Sequence, residues 1–105
     1  MGILLDVIQV QAQTDYKLVM EFENGELRCF DMSPYMDQKP WVKLKNSPLF
    51  YRASVDYGTV VWPGEIDIDP ETLYELSELI EPSSADAFRQ NLNFQSAGTY
   101  SGLTR

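Results

Sequence analysis

Apolar and polar residues alternate across Leu18 to Phe30 (LVMEFENGELRCF), with Asn24-Gly25 at the centre of the run. Alternation sends successive side chains to opposite faces of a strand. Asn-Gly supplies the positive φ angles of a two-residue hairpin turn. The expected register sets Glu23 against Glu26, Phe22 against Leu27, Glu21 against Arg28 and Met20 against Cys29. Leu18, Met20, Phe22, Leu27 and Cys29 then share one face. An earlier apolar segment, Ile3 to Val10, predicts a further strand, joined to the hairpin through Gln11 to Asp15. Ala53 to Asp56 and Thr59 to Trp62 flank Tyr57-Gly58 as a second hairpin, and Glu65 to Asp69 continues extended after Pro63-Gly64.

Helical signals are shorter. Ser33-Pro34 and Ser47-Pro48 each open a turn of helix, with serine as the cap and proline at the first position. Residues 37 to 47, with Pro40 and Asn46, read as irregular. Asp69-Pro70-Glu71 is a helix start: a carboxylate cap, a proline, and an acid against the helix dipole. The spacing of Leu73, Leu76 and Ile80 predicts a helix over 70–81 ended by Pro82, with Glu71, Glu75 and Glu78 as a stripe on its opposite side. That stripe either keeps the domain soluble or docks a basic partner. Ser83-Ser84 opens another short helix in which Phe88 and Leu92 share a face, and residues 95–105 read as a mobile tail. The resulting expectation is an α+β fold in one domain over 1–82, followed by a short helix and tail at 83–105. An antiparallel sheet built from hairpins (three strands, short helical turns, two strands) packs against a C-terminal amphipathic helix, since each apolar face needs a covering layer.

Composition narrows the function classes. A chain of 105 residues supports a single core. Eight Lys plus Arg against sixteen Asp plus Glu leave a net charge of −8, which argues against direct nucleic-acid binding. No apolar run approaches the roughly 20 residues needed to span a bilayer, and the first residues lack the basic start of a secretory signal. A single cysteine, Cys29, excludes an internal disulfide, so a cytoplasmic protein is expected.

Histidine is absent. Ser-His-Asp and Cys-His nucleophile pairs and every His-containing metal site are therefore excluded. Zinc ribbons and CxxC chemistry need more cysteines than one, and no glycine-rich phosphate loop is present. No cofactor is expected. The surviving chemistry is that of carboxylates: in an extended chain Glu65, Asp67 and Asp69 share a face that can hold a hard cation. Their bland alternative is a solvated strand edge running into a helix cap, with Ile66 and Ile68 facing the core. Cys29, beside Met20 and Phe22 in the expected register, reads as a small buried hydrophobe. Trp62-Pro63 at a strand end is a candidate surface anchor for a partner. Lys39, Lys43, Lys45 and Arg52 read as a solvated loop that balances an acidic domain.

The segments Asp56 to Pro63 (DYGTVVWP) and Asp67 to Tyr74 (DIDPETLY) carry a resemblance. With Phe22 to Gly25 (FENG) and Phe30 to Tyr35 (FDMSPY) upstream, the chain resembles the bacterial "domain of unknown function 2442" family over residues 3–80. It departs from that pattern at Trp62 to Glu65, where WPGE replaces the usual Trp-Pro-Asn-Gly turn. The resemblance implies a small α+β fold and no established activity. Some relatives carry a fused helix-turn-helix domain, and others are encoded beside a second small protein in toxin–antitoxin-like pairs. The leading expectation is a non-catalytic interaction or regulatory module, the acidic partner of a small basic protein, using Trp62, Pro63, Glu71, Glu75 and Glu78. The alternative is a small-ligand- or metal-binding protein or enzyme built on Glu65, Asp67 and Asp69.

Overall fold

The computed structural model describes residues 5–82 and 95–96. Strands β1 (Val7–Gln13), β2 (Lys17–Phe22) and β3 (Leu27–Asp31) form an antiparallel meander. Three 3-10 turns follow, at Ser33–Tyr35, Trp41–Leu44 and Pro48–Arg52. Then come β4 (Ser54–Asp56), β5 (Thr59–Trp62), β6 (Ile66–Ile68), helix α1 (Pro70–Leu76), β7 (Glu78–Leu79) and β8 (Gln95–Ser96). The α+β class stands, but the strands divide into two sheets, ordered β7-β3-β2-β1-β8 and β4-β5-β6. Of the short helix and tail expected at 83–105, the backbones of Gln95 and Ser96 pair with Val10 and Gln9 of β1. The rest of that expectation lies outside the described residues.

Both sheets turn one face to a shared core. The first contributes Val7, Val10, Leu18, Met20, Phe22 and Phe30; the second contributes Val55, Val60, Trp62, Ile66 and Ile68. Val7 N donates to Gly58 O at 2.9 Å, tying the second hairpin to the start of β1. The outer edge of β6 is closed by the Trp41 indole, whose Nε1 donates to Asp67 O at 3.0 Å. Covering an edge this way removes a template for strand addition.

The β2–β3 register differs from the expected one by a single residue. Met20 pairs with Arg28, Val19 with Cys29, and Glu21 with Leu27. The loop has three residues, Glu23 to Gly25: Phe22 N donates to Glu26 O, and Gly25 N donates to Phe22 O. Gly25 has φ +88°, whereas Asn24 is not left-handed. This is a turn closed by a left-handed glycine, the next commonest hairpin after the two-residue kind. A slip of one residue reverses a strand's faces. Cys29 therefore lies on the opposite side from Met20 and Phe22, and Arg28 takes its place toward the helix. Space around the Gly25 Cα is open, so Gly25→Val tests backbone conformation alone. It should lower stability by about 1–2 kcal/mol, the cost of a side chain in left-handed backbone. An unchanged melting temperature would count against this loop geometry.

Other boundaries moved as well. The first strand runs to Gln13, three residues beyond the expected end at Val10. Ser33 does not cap its turn; its own N–H donates to Asp31 Oδ1 at 2.9 Å. Ser47 does cap, accepting from Leu49 N at 3.1 Å. Helix α1 starts as expected, with the Asp69 carboxylate accepting from Thr72 N at 2.9 Å. It stops at Leu76, five residues short of the expected end. Arg28 supplies the cause. Its Nε donates to Ser77 Oγ at 2.8 Å, one terminal nitrogen donates to Ser77 O at 3.2 Å, and Ile80 N donates to Leu27 O at 2.8 Å. The chain after Ser77 gains strand hydrogen bonds on the edge of β3 in place of more helix. Leu73 is buried, and Leu76 is left 62% exposed.

Candidate functional site

In β4–β6 every second residue points away from the core. Val61 and Asp67 are paired partners on that outer face, with Asp56 beside them at the end of β4. The connecting turn Tyr57-Gly58 has φ +53° and +74°, the two-residue geometry that its sequence predicted. Asp56, Tyr57, Val61, Trp62, Glu65, Ile66 and Asp67 line a groove of about 340 Å³. Three of these residues are carboxylic acids, and none of the described residues lining the groove is cationic. Tyr57 stands at its mouth, 92% exposed.

That exposure is informative because of the backbone beneath it. A bulky residue at positive φ is uncommon and costs free energy, and such residues cluster at working surfaces. Among the described residues, the non-glycine residues with positive φ are Asp15, Tyr16, Asn46, Tyr57 and Glu65. Each of these five lines a cavity: Tyr57 and Glu65 this groove, and the other three a second cavity at Thr14–Tyr16 and Asn46–Tyr51.

The residues singled out in the sequence are distributed unevenly. Trp62 is not a surface anchor. It is 3% exposed, stacks at 6.1 Å on Phe50, and donates from Nε1 to Phe50 O at 3.0 Å. Its neighbour Pro63 is exposed. Glu65 and Asp67 come together with Asp56 and Tyr57, whereas Asp69 is spent on the helix cap and lies outside the groove. The Glu65, Asp67 and Asp69 cation site is not formed: among the described residues no group of three acidic or cysteine side chains converges to hold a metal. Alternation does turn Ile66 and Ile68 inward and the three acids outward. Glu71 and Glu75 are exposed on α1, but Glu78 belongs to β7 and pairs with Cys29, so the expected three-acid helix stripe is reduced to two. Lys39, Lys43, Lys45 and Arg52 are exposed.

Cys29 is half-buried in a small recess with Lys17, Asp31, Leu76 and Glu78. Burial pushes its thiol pKa up, against a smaller opposing effect of Lys17. A thiol held protonated is a poor nucleophile.

Tyr57 and Asp56 were missed as site residues, although a signal was there. The first position of such a turn favours Asn, Asp or Gly, so tyrosine before Gly58 is a locally costly choice.

A family profile described as "Protein of unknown function (DUF2442)" matches residues 7–78. The match covers all of the groove and most of the segment on which the resemblance rested. No curated protein and no solved structure matches the chain. Among the described residues no helix is long and apolar enough to cross a membrane.

Proposed function

From the premise that this chain belongs to the DUF2442 family of proteins of unknown function, we propose that it is a non-catalytic interaction module that docks a basic partner in the groove at Tyr57. The observation that carries this reading is the groove's make-up: three carboxylates around an almost fully exposed tyrosine held in left-handed backbone. Carboxylates attract and orient cationic side chains, and an exposed tyrosine supplies a stiff amphipathic contact at little entropic cost. A net charge of −8 adds long-range steering toward a positive protein. On this reading the chain is the acidic member of a two-protein pair in a reducing cytoplasm, with the second, basic protein as its partner.

The test uses a short Lys/Arg-rich peptide and its counterpart with glutamine in place of each cation, followed by amide chemical shifts in two-dimensional NMR. Shifts at Asp56, Tyr57, Val61 and Asp67, weakening with added salt and absent for the neutral peptide, are the expected result. Tyr57→Asn separates the roles of the side chain. Asparagine enters left-handed backbone more readily, so stability should rise, by up to about 1 kcal/mol, while peptide affinity falls. Unchanged affinity in Tyr57→Asn, or shifts confined to other parts of the molecule, would refute the groove.

A further inference from the structure

The second cavity lies on the other side of the core's aromatic cluster, where the β1–β2 connection meets the start of the third 3-10 turn. Thr14, Asp15, Tyr16, Asn46, Ser47, Pro48 and Tyr51 line an open cleft of about 460 Å³. Its shape is set from beneath by Phe50, which is buried and meets both tyrosine rings edge-on, Tyr16 at 5.2 Å and Tyr51 at 5.6 Å. Asn46 N donates to the Tyr16 hydroxyl at 2.9 Å, which in turn makes a long donation to Asn46 Oδ1 at 3.5 Å. Ser33 Oγ donates to Asp15 O at 3.4 Å. The two Tyr16–Asn46 bonds hold the walls against each other across thirty positions of sequence, and the Ser33 bond ties the Asp15 wall to the first 3-10 turn.

What remains for a ligand is mostly acceptor. Among the described residues the Asp15 carboxylate and the Thr14 and Tyr51 hydroxyls have no partner, and Asn46 Oδ1 retains a lone pair. Tyr51 presents a ring that is 53% exposed. None of the described lining residues is cationic. Lys45, next to Asn46, is instead engaged by Asp37 Oδ1 at 2.5 Å. An anion would find no uncommitted opposite charge here, since Lys45, which reaches Tyr16 electrostatically, is already paired with Asp37. A purely apolar ligand would leave Asp15 and both hydroxyls unpaired.

We propose that this cavity binds the guanidinium group of arginine. A guanidinium is planar, so it can stack on the Tyr51 ring, and its fork of N–H donors matches a carboxylate with a neighbouring amide oxygen. A lysine ammonium offers charge without the plane and so fits less of the site. The site shares no residue with the groove at Tyr57 and does not depend on the function proposed for that groove.

Amide chemical shifts are followed during titration with N-acetyl-arginine-amide, with its uncharged isostere N-acetyl-citrulline-amide, and with free L-arginine. The expected result is a saturable shift at Asp15, Tyr16, Asn46 and Tyr51 with the arginine compounds and little with citrulline. Asp15→Asn keeps a residue suited to positive φ, so the fold survives while the charge goes. Affinity should fall about tenfold, the loss of one charge-assisted hydrogen bond. Tyr51→Ala, at an exposed position, should lower affinity about threefold through the lost ring face. Tighter binding of the capped compound identifies a chain-borne arginine as the natural ligand; tighter binding of the free amino acid identifies a small molecule; both support the site. Equal response to arginine and citrulline, no change in Asp15→Asn, or shifts confined to the Tyr57 groove would overturn it.

Discussion

Trp62→Ala is expected to cost about 3–5 kcal/mol, the usual penalty for removing a large aromatic from a core. Native domains hold about 5–15 kcal/mol in total, so this single change should remove a large share of the stability and lower the melting temperature steeply. The indole is 3% exposed, stacks on Phe50, and supplies the donor for Phe50 O. Trp62→Phe divides these contributions. It keeps an aromatic ring in the core but leaves a buried carbonyl without its partner, and should cost about 1–3 kcal/mol. Urea unfolding followed by far-ultraviolet circular dichroism measures both. A loss below about 1 kcal/mol in Trp62→Ala, the ordinary range for surface sites, would return Trp62 to the role of exposed anchor.

Arg28 should be the most sensitive polar position. Its guanidinium reaches Ser77 through two hydrogen bonds, pairs with Glu26 Oε1 at 2.7 Å, and lies 4.3 Å above the Tyr74 ring. Tyr74 closes the network by donating from its hydroxyl to the same Glu26 oxygen at 2.9 Å. Arg28→Met keeps the aliphatic stem over Tyr74 and removes every polar contact. It should cost about 2–3 kcal/mol, because Ser77 O and Glu26 lose a charged donor in a half-buried setting. Arg28→Lys should recover less than half of that, since an ammonium cannot span Ser77 and Glu26 as a planar fork does. Loss of protection from hydrogen exchange at Ile80, whose N–H is bonded to Leu27 O, would show that the helix end and β7 detach first.

The same network predicts a pH response. The Tyr74 hydroxyl, with Arg28 beside it, holds the Glu26 carboxyl below its ordinary value of 4.5. A carboxyl with a depressed folded-state pKa stabilises the fold at pH above its unfolded value and loses that contribution as pH falls through the folded one. Melting temperature should therefore decline on acidification below about pH 4.5, and Glu26→Gln should flatten that decline. An identical acid profile in Glu26→Gln would assign the acid response to other carboxylates.

Much of this architecture could be read along the chain. Tyr57-Gly58 turns where expected, Asp69-Pro70 starts the helix with the expected cap, and Ser47 caps the turn after it. Alternation placed Ile66 and Ile68 inward and Glu65, Asp67 and Asp69 outward. Each of these is decided by groups within a few residues of one another, so its free energy is written in the local sequence. The exceptions were decided where the local sequence allowed more than one choice. The β2–β3 register turned on a left-handed Gly25 that serves a three-residue loop as well as a two-residue one, and the alternation of the flanking strands suits either choice. Helix α1 ended early because Arg28, 49 positions upstream, took Ser77 and the chain beyond it for the edge of β3. Trp62 went inward because Phe50 offered a ring and a carbonyl, and that left Tyr57, Asp56, Glu65 and Asp67 to form the exposed groove. Local hydrogen bonds and turn geometry determined where the elements begin. Burial and pairing between distant segments decided where they stop and which side chains are left for function.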